Sequence, residues 1–163
     1  MYRTETLLKR QIRVRYPAGR GRIVLRTELD WGRDQEPVAV SDDGETATFA
    51  LEARKPFLYF KCVLKTGDSG GLWSVGANLL LTMTTDDVAD VFPHFDPPET
   101  GSFSPVIERD SKVLGRQHLV RVYLPPGYHE NTLRRYPVLY MQDGKNLFFP
   151  EEAFLGQDWG VGE

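Results

Sequence analysis

Hydrophobic and polar residues alternate through most of the first ninety positions. Ile12, Val14 and Tyr16 are interleaved with Arg13 and Arg15, the period of two expected of a half-buried strand. After turn residues at Pro17-Ala18-Gly19 and Gly21, the stretch from Arg22 to Glu28 repeats the pattern with Ile23 and Leu25 on one face. Val38 and Val40 suit a short strand, and Asp42-Asp43-Gly44 is a hairpin signal. Thr46 to Glu52 then directs Ala47, Phe49 and Leu51 inward. From Phe57 to Lys65, Leu58, Phe60, Cys62 and Leu64 share one face, while Tyr59, Lys61, Val63 and Lys65 share the other. Gly67 to Gly71 reads as a flexible turn, and Leu72 to Thr82 as two strand pieces around Gly76. A slip of one residue there would reverse the direction of Trp73, and the pattern does not fix that register. Short helical turns are expected over residues 4–10 and 86–91. Some seven short strands with regular turns predict a mainly β fold, an immunoglobulin-like β-sandwich over residues 1–92.

A change of composition follows. Phe92-Pro93-His94-Phe95-Asp96-Pro97-Pro98-Glu99-Thr100-Gly101 reads as a boundary, so residues 93–103 are expected to be a linker. Beyond it, Val106 to Ser111 and Gln117 to Leu124 suit two antiparallel strands. Val138-Leu139-Tyr140-Met141 is a continuous apolar run, as in a strand covered on both faces. Residues 104–163 are thus expected to hold the first strands of an α/β domain. About sixty residues bury too little surface to be stable alone, so packing on the sandwich or on another subunit is expected.

Charge and cysteine usage narrow the functional classes. A net charge of −3 from 20 basic and 23 acidic residues gives no field to steer nucleic acid or an anionic membrane. The N-terminal arginines (Arg3, Arg10, Arg13, Arg15) fit a solvated strand face. Cys62 is the only cysteine, so no disulfide within the chain and no cysteine metal cluster is expected. His94, His118 and His129 have no histidine or cysteine partner at i+2 or i+4, and neither a metal nor another cofactor is expected. With no apolar signal-peptide core and no run near the ~18 apolar residues of a span, a cytoplasmic protein is expected.

The chemistry is concentrated in Trp31, Lys61, Trp73 and Asn78. An indole offers a flat apolar face to the C–H face of a pyranose, and an ammonium and an amide can hydrogen-bond its hydroxyls. Covering about 100 Å² of sugar surface at ~25 cal/mol per Å² contributes roughly 2–3 kcal/mol per indole. The competing reading makes both tryptophans core residues of a small β domain. Lys61 on a strand, then Trp73, then Asn78, with Trp31 in an earlier loop, resembles the first sugar site of the starch-binding family of carbohydrate-binding modules. The resemblance implies an immunoglobulin-like sandwich and an α-glucan or related carbohydrate as partner.

Three later blocks occur in order: Arg121-Val-Tyr-Leu-Pro-Pro-Gly-Tyr128, Tyr136-Pro-Val-Leu-Tyr-Met-Gln-Asp-Gly-Lys-Asn-Leu-Phe148 and Trp159-Gly-Val-Gly-Glu163. They resemble the opening of the α/β-hydrolase esterases related to enterochelin esterase and esterase D, with Gly162 where relatives more often have Asp. Such enzymes use a serine in G-x-S-x-G with a histidine and an acid. The resemblance implies an oxyanion loop at Asp143 to Asn146, in which Gly144 lets the chain turn sharply and the N–H of Lys145 or Asn146 is the donor. No residue of this chain is expected to be catalytic: neither Ser69-Gly70-Gly71 nor any other serine is read as a G-x-S-x-G elbow, and the family's elbow lies beyond Glu163. The resulting expectation is a glucan-binding module joined to the truncated start of a serine esterase. The alternative is a sandwich that binds no sugar and serves as a scaffold or dimerisation domain, and a homo-oligomer is possible under either reading.

Overall fold

The computed structural model describes residues 6–67, 70–97 and 99–161. The strands are β1 Leu8–Arg15, β2 Arg22–Thr27, β3 Asp30–Gln35, β4 Ala39–Val40, β5 Thr46–Ala53, β6 Phe57–Lys65, β7 Leu72–Trp73, β8 Leu79–Thr82 and β9 Ala89–Val91. Two sheets result, with strand orders β4-β5-β1-β9 and β3-β2-β6-β7, and β8 shares the β7 edge of β6. The fold is mainly β, and these sheets form a β-sandwich. Gly21, at φ +144, shows why the turn between β1 and β2 needs glycine: a Cβ there would lie 2.4 Å from the Lys65 carbonyl oxygen.

The alternation of the sequence becomes the core. Ile12, Val14 and Tyr16 from β1 and its end, with Ala47, Phe49, Leu51 and Ala53 from β5, meet Ile23 and Leu25 from β2 and Leu58, Phe60, Cys62 and Leu64 from β6. Each fully buried large aliphatic or aromatic side chain contributes roughly 1.5–3 kcal/mol over leaving it in water, and the alternating pattern delivers those of this cluster to the space between the sheets.

Two of the expected helical turns are replaced by strands. Residues 1–5 lie outside the described residues, but Leu8–Arg10 belongs to β1, which pairs with β5 over its whole length from Leu8↔Ala53 to Arg15↔Thr46. The continuous ladder outweighs a weak local helical preference. Within 86–91, Ala89–Val91 runs parallel to β1 with Ile12↔Ala89 and Val14↔Val91, since the second edge of β1 still has free backbone groups to satisfy. Arg13 fastens this edge through a hydrogen bond from Nη2 to Asp90 Oδ2 at 3.0 Å.

The chain divides into two compact units, Met1–Ser102 with Leu124–Arg135, and Phe103–Tyr123 with Tyr136–Glu163. Leu124–Arg135 is thus part of the sandwich unit. Glu130 explains why. Its carboxylate accepts the Tyr16 hydroxyl at 2.6 Å, the Phe95 N–H at 2.8 Å and the Asp96 N–H at 2.8 Å. Arg20 approaches it at 3.1 Å and grips Asp96 through two bonds of 2.8 Å. Next to it the Asn131 amide donates to the Arg15 carbonyl at 2.9 Å and to the Pro93 carbonyl at 2.7 Å. Gly127, at φ +72, lies so close to His94 that a Cβ would come within 2.5 Å of its side chain.

In the second unit, β10 Ser102–Phe103 gives it one residue, Phe103, and it contains β11 Ile107–Ser111 and β12 Arg116–Val120; β13 Tyr123–Leu124 contributes Tyr123. β11 and β12 form an antiparallel hairpin. Phe103, Tyr123, Phe148 and Phe149 cluster with ring centroids 4.9–6.5 Å apart, and the Arg121 guanidinium lies over Phe103 and Phe149 at 5.3 and 4.8 Å. Val138–Met141, expected to be a covered strand, has no strand structure, and its side chains are exposed, Tyr140 to 92%. A strand needs a neighbour to satisfy its backbone groups, and among the described residues none pairs with this run.

The Glu130 clamp sets two expectations. Glu130→Ala should lower the stability of the first unit by about 3 kcal/mol, because it strands the Tyr16 hydroxyl and the Phe95 N–H, read as a lower urea midpoint. Burial and then the bond to Glu130 raise the Tyr16 phenol well above its usual 10.0. The folded state therefore keeps a proton that the unfolded state loses, so this contribution is complete below about pH 10 and is lost as pH rises further. Tyr16→Phe should make the alkaline loss of stability shallower, measured by urea titration from pH 8 to 11.

Candidate functional site

Residues opposite one another in an antiparallel pair point to the same side of the sheet. In β6 the core takes Leu58, Phe60, Cys62 and Leu64, which leaves Lys61 and Val63 on the outer face. The pairing Val63↔Trp73 puts Trp73 on that outer face too, where it is 40% exposed. This settles the register that the sequence pattern leaves open. Arg26, opposite Lys61, shares the face. On β3, Gln35 lies opposite the inward Leu25 and Asp30 opposite the inward Thr27. Two steps along β2 thus match five along β3, an irregularity in which both Trp31 and Asp34 turn outward.

The two indoles belong to strands separated by β2 and β6, an interval of about 14 Å at ordinary strand spacing. Their ring centroids are nonetheless 6.3 Å apart, with planes inclined at 56°. Both side chains therefore lean across the sheet toward each other. Val63, beside Trp73 in the ladder, is fully buried despite facing outward, as a residue roofed by an indole is.

Charged groups lie alongside. The Arg26 guanidinium is 5.0 Å from the Trp73 ring centroid. Its Nε donates to Asp34 Oδ1 at 2.7 Å, and Lys65 Nζ meets Asp34 Oδ2 at 2.8 Å. These three side chains are only 20%, 22% and 14% exposed. Hydrogen bonds from Lys65 and then Arg26 hold the Asp34 carboxyl below the usual carboxylate range. Lys61, which would repel Arg26 across the ladder, donates from Nζ to the Gly76 carbonyl at 2.7 Å. Gly76 sits at φ +88 in the loop between β7 and β8. Asn78 is exposed at the end of the same loop, one residue before β8. The structure thus brings Trp31 and Trp73 together, ties Lys61 to the adjoining loop and leaves Asn78 at that loop's edge. Arg26, Asp34 and Lys65 were not singled out by the sequence. The outward parity of Arg26 and Lys65 was their visible signal, whereas Asp34 depends on the irregular β2–β3 pairing.

The loop expected to serve an oxyanion is built differently from its sequence reading. The sharp turn falls at Asp143, with φ 55 in the left-handed region, and not at Gly144. Aspartate tolerates that conformation better than most side chains. Gly144–Asn146 forms one turn of 3-10 helix. The Asn146 N–H donates to the Asp143 carbonyl at 2.7 Å, and its side-chain oxygen accepts the Phe154 N–H at 3.0 Å. Of the two candidate donors, Asn146 is already engaged and Lys145 is the exposed one.

Gly67-Asp68-Ser69-Gly70-Gly71 does fit G-x-S-x-G letter by letter. Asp68 and Ser69 lie outside the described residues, but the five positions join β6 to β7, two antiparallel neighbours. A nucleophile elbow needs a strand-to-helix turn, and this connection is strand to strand. Burial pushes the Cys62 thiol up to about 12, which removes it as a nucleophile. Among the described residues no group of three or more His, Cys, Asp or Glu could hold a metal ion, and no helix is long and apolar enough to cross a membrane.

A fluorophosphonate probe is accordingly expected to leave the chain unlabelled, as read by intact mass. Stoichiometric modification at Ser69 would instead make the Gly67–Gly71 turn an active elbow. Comparison with known proteins gives one match. The profile of a family described as "Putative esterase" matches residues 111–157. No curated protein and no solved structure matches the chain. Part of the chain, over residues 111–157, is therefore similar to that esterase family.

Proposed function

We propose that the sandwich is an α-glucan-binding module and that the chain is the glucan-recognising portion of a cytoplasmic serine esterase of the α/β-hydrolase class. The observation that carries this reading is the indole pair, Trp73 exposed and Trp31 half-buried, 6.3 Å apart and inclined at 56°. Two inclined apolar planes suit a saccharide whose successive rings turn relative to each other, as in an α-1,4-linked glucan, better than a flat β-1,4-linked ribbon. Lys61 and Asn78, on the strand and loop that adjoin Trp73, offer donors and an acceptor for the sugar hydroxyls. The esterase assignment rests on the family match at residues 111–157. Within this chain the oxyanion role falls to the loop containing Gly144, Lys145 and Asn146, with the Lys145 N–H as its donor.

A second reading has its own observation. Glu130 and Asn131 lie within the matched stretch, yet they anchor to Tyr16, Arg15, Pro93 and Phe95. A sandwich whose task is to hold the esterase segment would be built this way. It would need no sugar.

Titration with maltoheptaose, followed by tryptophan fluorescence, separates the two. Binding in the micromolar to millimolar range is expected, with Trp73→Ala and Trp31→Ala each weakening it about tenfold or more if an indole contributes roughly 2–3 kcal/mol. Cellohexaose should bind more weakly than maltoheptaose. Absence of binding at millimolar maltoheptaose would leave the scaffold reading in place.

A further inference from the structure

We infer that Arg26 is a positioning residue of the indole notch, holding Trp73 at the angle to Trp31 that the ligand meets. The inference rests on the proposed sugar-binding role of that notch but reaches a residue outside its four candidate contacts. Trp73 stands on β7, a strand of only two residues at the sheet edge, and such an edge gives a large side chain little guidance of its own. Two features do guide it. Val63 is its neighbour in the ladder, and the Arg26 guanidinium is 5.0 Å from its ring centroid. A guanidinium at that distance is attracted to the indole face.

Arg26 is itself fixed. Its Nε donates to Asp34 at 2.7 Å, and Asp34 is held from the other side by Lys65 at 2.8 Å. The low exposure of all three side chains means that this chain of contacts is shielded from solvent, so it persists better than a surface ion pair. Asp34 and Trp31 share the irregular segment of β3. The line Trp31–β3–Asp34–Arg26–Trp73 therefore connects the two indoles through a strand and an ion pair. Lysine could keep the charge near Asp34, but it lacks the planar group that stacks on an aromatic face.

The test uses the full chain and two readouts. Indoles this close and inclined couple their transitions, so the native protein should show an exciton couplet in far-ultraviolet circular dichroism. Trp31→Phe and Trp73→Phe should each abolish it. Arg26→Met should cut the couplet to less than about half and weaken maltoheptaose binding about fivefold, with Arg26→Lys intermediate in both. Asp34→Asn, which removes the negative charge that holds the guanidinium, should shrink the couplet in the same direction and serves if Arg26→Met does not fold. An unchanged couplet in a folded Arg26→Met or Asp34→Asn protein would overturn the inference, as would a reduced couplet with unchanged glucan affinity. If the native chain binds no maltoheptaose, the sugar-site reading fails, and the couplet alone decides the role of Arg26.

Discussion

The Glu130 carboxylate is the point at which two distant stretches of sequence become one folded unit. It is nearly buried, 7% exposed at the side chain, and a carboxylate in that position is tolerated only when its oxygens are bonded and its charge is answered. Tyr16 answers from the end of β1, Phe95 and Asp96 from the segment after β9, and Arg20 from the β1–β2 turn. Tyr16 and Phe95 are buried, so their donors could not be left alone without cost. The core between the sheets could form without Glu130, but the ends of β1 and of the segment 92–96 would then carry buried donors with no acceptor.

That arrangement frees the outer face of the β3-β2-β6-β7 sheet for other work. With structural cohesion supplied by the core and by the clamp, the outer face can present two indoles and a triad of charges beside the few apolar residues it buries. The face is also rich in compensations. Arg26 and Lys61 stand opposite each other, and each is drawn away to its own partner, one to Asp34 and the other to the Gly76 carbonyl. A regular sheet would have kept Asp34 out of reach of Arg26; the irregular pairing of β3 brings it round.

Much of this was legible in the residues. Alternation identified the inward faces of β1, β5 and β6, because a period of two admits only one assignment when one face is apolar. The outward direction of Lys61 followed from the same rule. Trp73 could not be placed this way, since its strand has two residues and Gly71 and Gly76 nearby relax the register. The strand at Ala89–Val91 was missed because three residues carry too little pattern, and it exists by virtue of an edge contributed from seventy-seven residues earlier. Leu124–Arg135 was hidden for a related reason. Pro-Pro-Gly-Tyr-His-Glu-Asn is an ordinary loop sequence, and nothing local announces that Glu130 and Asn131 complete another element's hydrogen bonds.

The parallel run of β9 beside β1 has a mechanical consequence. The polypeptide enters β1 at Leu8 and leaves β9 at Val91, and the two strands point the same way. Tension applied through the chain before β1 and after β9 would load their shared hydrogen bonds, and the Arg13–Asp90 pair, in shear. Bonds sheared together must fail together, whereas the hairpin β4–β5 can be unzipped one pair at a time. Resistance to pulling is governed by the unfolding rate and not by equilibrium stability. The sandwich would therefore resist stretching along this axis more than its short strands suggest.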